Sequence, residues 1–302
     1  MDGKLRGSVL VLVSAALFGI MGVMAKLAYD EGANALFVLT MRFSIAAAIL
    51  WAFNLVPVRR QKVKVTVHQG LALFIIGGVI YFIVSMCYFS AINYIPVSLS
   101  SMIFYLYPVI VNAFMLLVLK ERAAAKQVVA LVMAMTGSVL MMWARGMYIN
   151  WIGVLISLCA SVFYSAYIIL LGSKYAKILD GLDSVTVTTY LATFAAVSMA
   201  VTGALTGQLQ VRVSPWVWAS IIIIAVFSTV ISSIMFYLGV REVGSSRASI
   251  LSTFEPVVTV SMGVLVLSET LAPTQFIGMV LVISAVTIMN MNTAGLKETT
   301  GS

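Results

Sequence analysis

Charged and turn-forming residues in this chain cluster in short segments, and long apolar runs fill the spaces between them. Ten runs fall at 8–28, 35–56, 69–92, 98–119, 126–143, 151–172, 184–206, 215–238, 248–267 and 274–291. A helix crosses the hydrocarbon core of a bilayer in about 20 apolar residues. The pattern therefore predicts ten transmembrane helices, which at that length consume roughly 200 residues and leave only short loops. There is no room for a separate soluble domain. Lys4 and Arg6 precede the first run as they would in a secretion signal. That run is too long for a signal peptide's apolar region and lacks a small-x-small cleavage site before polar sequence, so it reads as a retained anchor.

Composition agrees. Of 302 residues, 62% are hydrophobic and 9% charged, with a mean hydropathy of +1.10. A soluble domain carries about 45–50% apolar and about 25% charged residues, so this chain could not cover a water-facing surface. Disorder, collagen and coiled coil are excluded by the same figures. Cys87 and Cys159 both sit inside apolar runs and read as reduced core residues rather than a disulfide framework.

The net charge of +8 is informative through its placement. Of 18 Lys and Arg, Lys26 and Arg42 fall within spans one and two. With a cytoplasmic N-terminus, only Arg145 and Arg212 lie in outer loops, and the other 14 lie inside. That asymmetry predicts both termini in the cytoplasm. The basic charge is then an orientation signal, and no nucleic-acid partner is needed to explain it.

The chain also repeats itself. Shifted by 148 residues, 98–132 aligns without a gap onto 246–280, matching Ser98 with Ser246, Ser101 with Ser249, Pro108 with Pro256, Glu121 with Glu269 and Gln127 with Gln275. The shift carries span four onto span nine. Five spans is an odd number, so the second copy is inserted upside down, with Glu121 at the cytoplasmic surface and Glu269 at the opposite one. Two inverted five-helix halves are an architecture of secondary transporters, which handle substrate near the midplane where the halves meet. The boundary expected between the repeats is 147/148, with 293–302 a cytoplasmic tail.

These residues carry a resemblance. Gly19 and Lys26 in span one, Met41-Arg42-Phe43 opening span two, Pro108 in span four, Phe254-Glu255-Pro256 in span nine, and Glu121 and Glu269 each followed by a Gln make the chain similar to the drug/metabolite transporter superfamily. Specifically it resembles the ten-span EamA-type members, over roughly residues 5–291. Phe18 stands where that family often has Trp, and Lys120 and Ser268 stand where Gly is common before the acidic residue. The resemblance implies an all-α membrane protein of the bacterial inner membrane. It implies carrier-mediated movement of a small organic solute, usually outward, through a cavity lined by spans one, three, four, six, eight and nine. Gly19, Pro108, Pro256, Glu121 and Glu269 are its structural motif residues.

Ionisable groups within spans are functional candidates, because one at the bilayer centre costs at least about 2.5–3.5 kcal/mol. Glu255 is near mid-depth, next to a proline that removes a helix hydrogen bond. It could bind a proton or a substrate ammonium in alternation, or serve as a hydrogen-bonded strut for span nine. Arg42 could attract a substrate carboxylate, pair with Glu255, or act structurally. Lys26 can snorkel to the interface, with Asp30 and Glu31 nearby. Tyrosine offers an apolar face with one polar handle and can bind a cation through its ring. The expected substrate contacts are Phe18, Tyr81, Tyr88, Tyr105, Tyr164, Tyr167 and Ser232, whereas Tyr94, Tyr148 and Trp151 read as an interfacial belt.

Other chemistry lacks its residues. His68 is the single histidine, there is no phosphate-cradling glycine loop, and Glu255 has no acid–base partner in its span. No metal, cofactor or catalytic site is expected, and the protein is not expected to be an enzyme. The expected partners are a small-molecule substrate and the lipid bilayer, and nothing in the chain requires an oligomer. The reading is an exporter of an amino acid or related amphipathic solute working by alternating access. The alternatives are an importer or an organic-anion exchanger, and a membrane scaffold that transports nothing.

Overall fold

In the computed structural model, the described residues are 3–56, 63–91, 93–95, 97–121, 124–143, 150–172, 174–209, 213–267 and 271–290. They form helices at all ten expected places. Helices α1 (Gly3–Asp30) and α2 (Ala35–Asn54) are continuous. Helix α3 begins at Val67–Leu73, passes through a π-helical segment at Phe74–Tyr81 and resumes at Phe82–Ala91. Helix α4 is two pieces, Val97–Phe104 and Tyr107–Leu117. Then come α5 (Ala125–Met142), α6 (Trp151–Gly172) and, after a 3-10 turn at Lys174–Leu179, α7 (Ser184–Thr206). Helix α8 repeats the build of α3, with Pro215–Ile223, a π segment at Ile224–Ile231, and Ser232–Val243. Helix α9 repeats that of α4, with Ser245–Leu251, a 3-10 turn at Ser252–Phe254, and Glu255–Leu267. Helix α10 is Pro273–Asn290. Among the described residues nine helices are long and apolar enough to cross a membrane, and the tenth, Pro273–Met289, is apolar but shorter.

Polar caps set the ends where the apolar runs stop. Asn34 accepts from the Phe37 amide at 2.8 Å, Asp183 from Thr186 at 2.9 Å, and Ser214 from Val217 just ahead of Pro215. Thr66 and Gln69 bond each other's backbone amides at the start of α3. Each cap satisfies donors that a first helical turn otherwise leaves open.

The helices pack as two related sets. Helix α1 lies on α8 and α9, and α6 lies on α3 and α4. Helix α2 lies on α7, and α5 on α10. Moving every label by five reproduces the same pairs, as a two-fold relation between the halves requires. All of these contacts join one half to the other, so the halves interlock around a shared core. At the α5–α10 crossing the backbones touch: a Cβ on Gly137 would sit 2.6 Å from the Gly278 carbonyl oxygen, and one on Gly278 2.5 Å from that of Gly137. Close approach through small residues is how helices associate in lipid, where apolar burial against water is not available between them. The outer surface keeps large apolar side chains exposed, among them Leu117, Val201, Leu205 and Phe276, as a lipid-facing wall must. Tyr94 and Trp151 are exposed at helix ends; Tyr148 lies outside the described residues.

Candidate functional site

Both broken helices break beside a proline. Pro108 and Pro256 stand in the first turn after each break. Without an amide hydrogen, each deprives the carbonyl four residues earlier of its donor, and the two halves compensate differently. From α6, the Ser161 hydroxyl donates to the Phe104 carbonyl at 2.9 Å. In α9 the chain tightens instead, and the Glu255 amide donates to the Ser252 carbonyl. The break in α9 thus delivers Glu255 to the first turn of an inner half-helix.

Helix α1 holds that turn closely. A Cβ on Gly19 would lie 2.8 Å from the Glu255 carbonyl oxygen and 2.8 Å from Val258 Cβ. Thr259 Oγ1 donates to the carbonyls of Gly19, at 3.1 Å, and Glu255, at 3.2 Å. The span-one glycine and the Phe-Glu-Pro segment are therefore two sides of one contact.

Glu255 lies deep among the helices yet keeps part of its surface accessible. Its carboxyl interacts with the Tyr105 hydroxyl, and Tyr88, Tyr107 and Tyr164 lie within electrostatic reach. Among the described residues no ion pair reaches it. The rings form a continuous set. Phe104 is 5.3 Å from Tyr88 and 5.1 Å from Tyr164, and Tyr164 meets Tyr107 edge-on at 4.8 Å. Tyr88 is fixed by a 2.8 Å bond between its hydroxyl and that of Ser101.

The ring set continues into a cleft between the halves. Tyr164 stacks on Tyr167 at 5.8 Å, Tyr167 lies 5.1 Å from Tyr81, and Tyr81 meets Phe43 at 5.6 Å. Tyr81 and Tyr167, with Gly77, Thr188, Thr229 and Tyr237, line this narrow cleft. Both π segments border it, through Gly77 and Tyr81 on α3 and Thr229 on α8. A π turn takes an extra residue per turn and recurs at functional sites. Here Gly77 packs directly on the α7 backbone at Leu191, and the Gly78 carbonyl accepts from the Ser198 hydroxyl at 2.7 Å.

The remaining expected residues are dispersed. Arg42 is 4% exposed, with one guanidinium nitrogen donating to Met21 Sδ and its carbon 4.3 Å from the centre of the Phe43 ring. It makes no ion pair among the described residues. Lys26 is exposed near the end of α1, one turn from Asp30. Phe18 is half-buried beside Gly19 and makes none of the ring contacts above. Ser232 is fully buried, and its hydroxyl and that of Ser14 each donate to the other residue's carbonyl, at 3.0 and 2.9 Å. That clasp ties α8 to α1. Glu121 is exposed beyond α4, while Glu269 lies outside the described residues.

The sequence reading missed a polar knot. Gln127 donates to Asn112 Oδ1 at 3.2 Å and to Ser246, Ser246 donates to Asn112, and Asn112 donates to Ser249 at 3.3 Å. The knot binds α4 and α5 to α9. Among the described residues it has no counterpart in the other half: Gln275 accepts from the Ala272 amide and donates to the Met141 carbonyl, and Val260 occupies the place of Asn112. The repeated Ser and Gln were visible in the sequence, but Asn112 has no repeat mate to draw attention to it.

Comparison with known proteins places this arrangement. The model of the EamA-like transporter family matches residues 5–143 and again 151–291. A Bacillus subtilis (strain 168) protein named as an uncharacterized transporter, YcbK, is 24% identical over 283 residues, covering 90% of this chain and 88% of that one. An uncharacterized transporter of Archaeoglobus fulgidus is 26% identical over 294 residues, covering 93% and 95%. A solved crystal structure superposes with a TM-score of 0.77 over 94% of this chain and 96% of that one. At 18% identity that likeness concerns the fold alone.

Proposed function

The chain belongs to the EamA-like transporter family, and we propose that it is a secondary carrier exporting a small amphipathic metabolite, such as an amino acid or a related compound, by alternating access. The observation that carries this reading is the matched construction of the two halves around one cleft. The π segments of α3 and α8 and the breaks of α4 and α9 occupy corresponding places. Inverted halves built alike can exchange conformations, so that each inward-open state has an outward-open partner of similar energy. The helix-pair exchange and the cleft between the halves support this cycle. The proposed repeat boundary is 147/148.

In this reading Glu255 couples the cycle, holding either a proton or the solute. Gly19 fixes its height, and the tyrosines provide an amphipathic wall. The distribution of Lys and Arg supports cytoplasmic termini, and the proposed location is the bacterial inner membrane. A second reading, exchange of organic anions, draws on Arg42, a buried guanidinium that forms no ion pair among the described residues.

Counterflow in proteoliposomes tests the proposal. Vesicles carrying the protein are loaded with an unlabelled solute and given the labelled solute outside, across a panel of cationic, zwitterionic and anionic metabolites, with and without a pH gradient. A carrier gives saturable uptake accelerated by the internal solute. If folded, reconstituted protein accelerates none of them, the carrier reading fails.

A further inference from the structure

We infer that the solute carries an organic ammonium pole, bound by Glu255 and the rings of Tyr88, Phe104 and Tyr164. The inference rests on the carrier reading for the steps after binding, and the binding step itself can be tested alone.

A carboxylate enclosed by protein is costly unless its charge is matched. None of the ion pairs found among the described residues involves Glu255. On α1, Arg6 pairs with Glu242 at 3.6 Å near one end, and Lys26 is exposed towards the other. Lys126 sits at the start of α5, and Arg247 is about two turns up α9. Arg42 is engaged with Met21 and Phe43. The tyrosine hydroxyls around Glu255 can donate hydrogen bonds but bring no charge. Among the described residues no ion pair matches the Glu255 charge, which leaves a place for a proton or a cationic ligand.

The surroundings select among cations. A small hard metal ion binds through about six or more oxygens, typically carboxylates, carbonyls and waters, whereas this site offers one carboxylate among tyrosine hydroxyls and ring faces. Such faces favour large, weakly hydrated cations, above all substituted ammonium groups. Phe104, Tyr88 and Tyr164 are each only partly buried; Tyr88 and Tyr164 lie within electrostatic reach of the carboxyl, and Phe104 packs between their rings. From Tyr164 the rings run on through Tyr167 and Tyr81 to the cleft between the halves, an apolar path beside the carboxyl-bearing turn.

Calorimetric titration of the purified full-length protein in detergent tests this with benzyltrimethylammonium, whose charge does not depend on pH, and with tetramethylammonium and phenylacetate. We expect saturable binding of both cations and none of phenylacetate. Glu255→Gln, with its helical content and thermal transition retained, should weaken cation binding at least about tenfold, a loss of about 1.4 kcal/mol. Tyr164→Phe keeps a ring face and should bind within roughly threefold of wild type, while Tyr164→Leu should lose about tenfold. Cation binding equal in the wild type and Glu255→Gln overturns the inference, as does binding of phenylacetate in place of the cations or no saturable cation binding at all. Counterflow of zwitterions or anions alongside such a result would leave the carrier reading standing and remove only the ammonium site.

Discussion

Lys120 carries a left-handed backbone at φ +55°, just ahead of Glu121 and just past α4. An L-residue pays about 1–2 kcal/mol for that conformation, whereas glycine adopts it without a Cβ clash. The resemblance leads one to expect glycine there, so the lysine at this place has a conformational meaning in the structure. Lys120→Gly should stabilise the protein by about 1 kcal/mol after allowing for the freer unfolded chain, read as a raised thermal transition in detergent. At Glu255 the expected effect is on pH dependence. A protonated, neutral carboxyl cannot hold an ammonium, so exchange of such a solute should fall as pH is lowered through the titration of Glu255 and recover above it. Glu255→Gln should flatten that profile, and a profile of unchanged shape in the variant would remove the coupling role. The tyrosines were legible as residues because an apolar body with a polar tip is recognisable from type alone. Ser232 shows the limit of that reasoning, since only the neighbouring helix reveals that its hydroxyl belongs to Ser14.

Helix contacts through glycine separate stability from function. Gly19→Ala and Gly137→Ala both drive a new Cβ against a carbonyl oxygen, at 2.8 and 2.6 Å. Each should cost about 1–3 kcal/mol by overpacking. Gly19→Ala also displaces Glu255, so solute exchange per folded molecule should drop sharply; Gly137→Ala acts at the α5–α10 crossing and should leave that rate near wild type. Equal rates in the two variants would contradict the assigned role of Gly19. Ser161→Ala leaves the Phe104 carbonyl without its side-chain donor and should destabilise the protein by about 1–3 kcal/mol, measured as a lowered thermal transition. Span positions were readable in the sequence because length and apolarity dictate them, and the expected 184–206 and 151–172 match α7 and α6 at both ends. The π segments were not readable. Phe74–Tyr81 and Ile224–Ile231 are apolar like the rest of their spans, and an added residue per turn depends on what packs beside them. The prolines showed where α4 and α9 are interrupted, but whether Ser161 or a 3-10 turn repairs each break is set by neighbours distant in sequence.

Across the whole molecule, the two halves share a plan but not every bond. The knot of Asn112, Gln127, Ser246 and Ser249 fastens α4 and α5 to α9 at one end, and Val260 leaves the corresponding place at the other end without it. Asn112→Val makes the two ends alike. In the alternating-access reading it should shift the population towards the state open at the knotted end, seen as faster thiol labelling of probes there and slower labelling of probes at the opposite end. Both effects rest on the inverted relation between the halves, which membrane sidedness tests most directly. Lys126 and Thr274 are repeat mates at the starts of α5 and α10. Each can be replaced by cysteine in a chain whose Cys87 and Cys159 are changed to Ser, then exposed to an impermeant thiol reagent in oriented vesicles. The account predicts that the reagent, added to one side, labels position 126 or position 274 but not both, and that adding it to the other side reverses the result; labelling of both from the same side would contradict it.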